Sequence, residues 1–129
     1  MTAELRSACE EARFALAGYV NEFFEEFAYM AGSEEQCRIV LAKNAGIEEV
    51  AIRLAGIRFL SITNSAALSD GSSIVDEISI SYLPSTGGNW PTGAECMIRQ
   101  FSELPSLVWL RITGLVELNV ISSMLNISR

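Results

Sequence analysis

Carboxylates are the only abundant reactive groups in this chain. Sixteen acids stand against nine bases, and the 129 residues include three cysteines and no histidine. Without imidazole there is no Ser–His or Cys–His nucleophile activation, no imidazole metal ligation and no side chain that titrates near neutrality unaided. Cys9, Cys37 and Cys96 are odd in number and widely spaced. They lack the paired spacing of a structural zinc site, which needs four ligands. They read as buried thiols in a reduced, cytoplasmic setting rather than as a disulfide frame. Lys43, the single lysine, is expected on a solvated helix face and has little to recommend it for Schiff-base chemistry. Thr86-Gly87-Gly88 lacks the lysine and the preceding parallel strand of a phosphate-binding loop. No cofactor and no metal is expected.

An enzyme would have to use carboxylate pairs. Asp76 and Glu77 are adjacent at the start of a strand pattern, so their side chains are expected on opposite faces, out of reach of one another. Glu95 and Glu103 flank a helix pattern, where Glu95 is already occupied in a capping box. A small carboxylate-dependent enzyme is therefore the weakest reading of function.

The acids are unevenly placed, and this suggests binding. The net charge is −7, and residues 1–35 contribute eight acids against Arg6 and Arg13. The remaining residues are nearly balanced. Such a field repels nucleic-acid phosphate and attracts basic surfaces. The candidate partner-binding residues are Glu10, Glu11, Glu22, Glu25, Glu26, Glu34 and Glu35. Trp90 joins them, held between Gly87-Gly88-Asn89 and Pro91 in a loop where it could anchor a partner. An unpaired sheet edge is a third means of accepting another chain.

The elements that would position these groups follow from periodicity. Leu5, Cys9, Ala12, Leu16, Val20, Phe23, Phe27 and Met30 recur in steps of three or four, which predicts an acidic N-terminal helix over 1–32 that either bends near Gly18 or projects. Ser33 and Gln36 have capping-box spacing and open a second helix to about Asn44, with Gly46 as its left-handed cap. Val50–Ala55 and Ile57–Thr63 read as strands about Gly56. Asp70-Gly71 reads as a turn, and Ile78, Ile80 and Tyr82 mark a further strand. Pro84–Pro91 reads as a loop, and Thr92 with Glu95 opens a third helix that Pro105 ends. Val108–Thr113 and Leu115–Ile121 are strands about Gly114, and the tail Met124–Ile127 is too short to assign.

Residues 50–62 align with 108–120, sharing Val50/Val108, Arg53/Arg111, Gly56/Gly114 and Leu60/Leu118. With the preceding helices this reads either as a helix–strand–strand repeat over 33–63 and 92–121 or as chance likeness of amphipathic strands. The expected fold class is α+β. One domain would span 1–129, with a mainly antiparallel sheet of about five strands, helices on one face and the order α-α-β-β-β-α-β-β. No apolar run is long enough for a membrane span and no secretory signal is read, so neither membrane nor nucleic acid is an expected partner.

The leading expectation is a non-enzymatic, acidic, protein-binding inhibitor of immunity-protein or antitoxin type that masks a basic toxin domain. The alternative is an acidic, homodimeric secretion or assembly chaperone. Its helix–three-strand–helix–two-strand order is similar to that of type III secretion chaperones, without their sequence pattern.

Overall fold

The structure, a computed structural model, describes residues 2–32, 34–44, 46–64, 74–84, 105–114 and 116–128. Helix α1 (Thr2–Leu16) is followed by a single 3-10 turn, Ala17–Tyr19. Six strands follow: β1 (Phe23–Met30), β2 (Gln36–Lys43), β3 (Glu48–Asn64), β4 (Val75–Leu83), β5 (Leu107–Gly114) and β6 (Val116–Ser128). They form one antiparallel sheet in the order β1-β2-β3-β6-β5-β4. Among the described residues the order is therefore one helix and six strands. The expected α-α-β-β-β-α-β-β is corrected, and with it the order on which the chaperone analogy rested.

Two stretches expected to be helical, the second half of the first helix and the whole of the second, contain strands. The acidic helix predicted over 1–32 stops at Leu16, so it neither bends at Gly18 nor projects, and Phe23–Met30 is extended. The pairing of β1 with β2 contains a β-bulge. Phe24 pairs with Leu41 and Glu26 with Val40, which leaves Glu25 as an extra residue. The bulge moves the alternation by one position, so Phe24 and Phe27, three apart, both pack into the core. The stripe read through Phe23, Phe27 and Met30 is corrected: Phe23 and Met30 are exposed, and the core takes Phe24 and Phe27 from either side of the bulge, in a segment whose aromatic residues favour a strand.

The segment read as a second helix is β2, where Cys37, Ile39 and Leu41 alternate into the core and Val40 and Ala42 are buried on the other face. Burial on both faces produces a continuous apolar run that hides the two-residue period. Gly46 does take up the left-handed backbone predicted for it, with φ 87°, but in the β2–β3 turn. There it stands two residues after Asn44, whose φ is 55°, and its N–H donates to the Lys43 carbonyl.

Gly56 does not divide two strands. It lies with φ 66° inside the 17-residue β3, and a second bulge at Arg58 follows between Ile57 and Phe59. The two halves of the proposed repeat therefore differ. Residues 50–62 run straight through one strand, whereas 108–120 form the β5–β6 hairpin. The tail left unassigned, Met124–Ile127, completes β6. Strands β4, β5 and β6 otherwise follow the alternation of their sequences. The Asp70-Gly71 turn, the helix opened by Thr92 and Trp90 lie outside the described residues.

The sheet curls until its outer strands meet. Phe23 of β1 bridges Ile74 just before β4. Asn21 N–H donates to the Val75 carbonyl at 2.7 Å, and Val75 N–H donates to the Glu22 carbonyl at 2.8 Å. Helix α1 lies on the enclosed face, where Cys9, Ala12, Leu16 and the following Tyr19 join one apolar cluster with residues from all six strands. Each fully buried aliphatic side chain contributes about 1.5–3 kcal/mol. The exposed ion pair of Glu26 with Arg38 contributes about 1 kcal/mol at most. The apolar cluster, not the charge, holds this fold. A smaller cluster of Leu83, Leu107 and Ile121 sits on the opposite face. There Trp109 Nε1 donates to Asn119 Oδ1 at 3.0 Å. No helix among the described residues is long and apolar enough to cross a membrane.

Candidate protein-binding surface

Helix α1 buries one stripe and sorts its charges around the rest. Arg6 and Arg13, seven residues apart, turn toward β4. The Arg6 guanidinium lies 4.8 Å from the Tyr82 ring centroid, and Arg13 Nε donates to the Ile80 carbonyl at 2.8 Å. Glu10 and Glu11 occupy another side and are exposed. Phe14, one turn further on, is 86% exposed. These three residues, with Ala15 and Ile127 of β6, line an open groove of about 580 Å³. Because Arg6 and Arg13 are engaged with β4, the charged groups lining the groove among the described residues are the Glu10 and Glu11 carboxylates.

A second groove, about 380 Å³, adjoins the first through Ala15 and takes in Tyr19, Lys43, Ile47, Glu48 and Glu49. Ile47, at the tip of the β2–β3 turn, is 84% exposed. Lys43 Nζ lies 3.7 Å from Glu48 and 4.8 Å from the Tyr19 ring centroid, so this cation is engaged within the groove wall. Asn44 also donates to the Glu48 carboxylate.

The other sequence-selected acids are distributed differently. Glu22 is half-buried in the turn before β1, Glu25 is the exposed extra residue of the bulge, and Glu26 pairs with Arg38 at 2.7 Å. Glu34 and Glu35 lie in the β1–β2 turn and do not open a helix. Glu34 faces a separate groove with Gln36, Arg53 and Met124. The Glu35 carboxylate accepts the Tyr29 hydroxyl hydrogen bond, and this contact raises the Tyr29 pKa above its ordinary value. The acids thus occupy a helix, two turns and an edge strand rather than the two opening helices expected from sequence. Among the described residues, no cation pairs with Glu10, Glu11, Glu25, Glu34 or Glu49.

The remaining chemistry is quiet. Cys9 and Cys37 are buried free thiols. Burial pushes Cys37 up to about 11 and also raises Cys9, where Arg13 opposes the shift and Glu10 adds to it. Both are poor nucleophiles at neutral pH. Asp76 is the extra residue of a bulge between Val75 and Glu77, and both carboxylates are exposed.

Sequence reasoning missed Phe14, Ile47, Glu48 and Glu49. Phe14 falls off the apolar stripe of its helix, and a large apolar residue on a polar face was a usable signal. Glu48 and Glu49 were hidden because the charge tally followed chain position, whereas the β2–β3 turn folds back beside α1. No protein-family model and no curated protein sequence matches this chain, so its functional reading rests on the geometry above.

Proposed function

We propose that this chain is a non-enzymatic protein-binding domain that captures a basic partner on the outer face of α1, as an inhibitor of immunity-protein or antitoxin type does with a toxin domain. The observation that carries the reading is the placement of Glu10 and Glu11, with no paired cation among the described residues, beside the exposed Phe14. An aromatic anchor with carboxylates around it suits a surface that presents Lys and Arg around an apolar centre. A toxin that grips phosphate must present such a surface.

Photo-crosslinking from position 14 in native cells tests this. The expected capture is a basic protein whose affinity for the purified chain falls at least ~10-fold between about 0.05 and 0.5 M salt. An acidic partner, or an affinity indifferent to salt, would count against it.

A second reading, the homodimeric secretion or assembly chaperone, draws on the exposed Phe23, Tyr29 and Met30 of edge strand β1. An obligate dimer in sedimentation, dissociated by Tyr29→Glu, would favour it.

A further inference from the structure

Resting on the reading of α1 as the binding face, we infer that the occupant is an amphipathic, basic segment of the partner. Its apolar side chains would cover Phe14 and Ile47 while its Lys or Arg side chains meet Glu10, Glu11 and Glu49. The two grooves share Ala15, so they form one surface, with Phe14 and Ile47 as its exposed apolar residues. Isolated exposed apolar residues are ordinary, but two large ones standing out on adjoining grooves are a reason to expect cover.

Charge selects the occupant. The rim carries Glu10, Glu11, Glu48 and Glu49 against Lys43, which already lies against Glu48 and Tyr19. A second copy of this chain would bring the same carboxylates against themselves across a twofold axis, which like-charge repulsion opposes. A purely cationic chain would satisfy the rim but leave both apolar residues in water. A segment with one basic and one apolar face satisfies both.

Two synthetic peptides of equal charge test this by fluorescence polarisation: one of alternating leucine and lysine, and an oligolysine. The leucine–lysine peptide is expected to bind at least ~10-fold more tightly, the value of about one well-buried apolar side chain. Phe14→Ser with Ile47→Ser should abolish that preference and leave oligolysine binding unchanged. Glu10→Gln with Glu11→Gln and Glu49→Gln should weaken both peptides. Phe14 and Ile47 are so exposed that the serine variants should melt as the wild type does. Equal binding of the two peptides, or a preference that survives the serine variants, would overturn the inference and leave the electrostatic reading standing. Failure of both peptides to bind at low salt would overturn the electrostatic reading itself.

Discussion

A Cβ on Gly56 would lie 2.1 Å from Ser123 Oγ, so β3 has no side chain at the point where β6 places a hydroxyl. Gly56 also has φ 66°. Gly56→Ala should lower stability by about 1–2 kcal/mol, of which about 1 kcal/mol comes from the left-handed backbone and the rest from turning the Ser123 hydroxyl aside. Adding Ser123→Ala should recover the second part, because the two Cβ atoms would then stand 3.4 Å apart. Urea unfolding of the single and double variants measures both parts. An alanine tolerated within about 0.5 kcal/mol would show that the strand can relax here.

Arg13 fastens the helix to an outer strand of the sheet. Its Nε donates to the Ile80 carbonyl at 2.8 Å in a half-buried setting. Arg13→Met keeps much of the aliphatic packing and removes the donor. It should cost about 1–2 kcal/mol and speed amide exchange in β4. Unchanged exchange in β4 would mean that water replaces the guanidinium without loss.

The fold should weaken in alkali through Cys37. Burial raises this thiol from its ordinary 9.0 to about 11, so between these values the folded state holds a proton that the unfolded state releases. Stability is therefore full below about pH 9 and falls as pH rises toward 11, by about 2 kcal/mol at most. Cys37→Ala should be less stable at pH 7 because of its cavity, but should lose less between pH 9 and 11. Thermal melts across this range, with both proteins losing the same amount, would assign the alkaline loss to other groups.

The Glu26–Arg38 pair, though only 2.7 Å apart, is exposed on both sides. A double-mutant cycle with Glu26→Ala and Arg38→Ala should give a coupling below about 1 kcal/mol that shrinks with added salt. A larger, salt-insensitive coupling would mean that the pair is part of a wider network.

Legibility in the sequence depended on whether local pattern and tertiary environment agreed. Cys9, Ala12 and Leu16 show the buried stripe of α1 openly, and alternation shows β4 and the β5–β6 hairpin about Gly114. The pattern misled where the sheet departs from regularity. The bulge at Glu25 turns Phe24 inward with Phe27, so the stripe read through Phe23, Phe27 and Met30 does not exist, burial of both faces hid the period of Ile39–Ala42, and Gly56 passed for a break because glycine commonly marks turns. For the surface, the sequence supplied the acidic character and Glu10 and Glu11. It could not supply their neighbours, because Ile47, Glu48 and Glu49 join them only through the fold.

The most direct test of the α1 face as the working surface is the association rate constant of the captured partner with the wild type and with Glu10→Gln/Glu11→Gln, from about 0.05 to 0.5 M salt. The prediction is a wild-type rate that falls steeply with salt, and a variant that starts about 3- to 10-fold slower and follows a flatter curve at unchanged stability. Two curves that coincide across the whole range would contradict it.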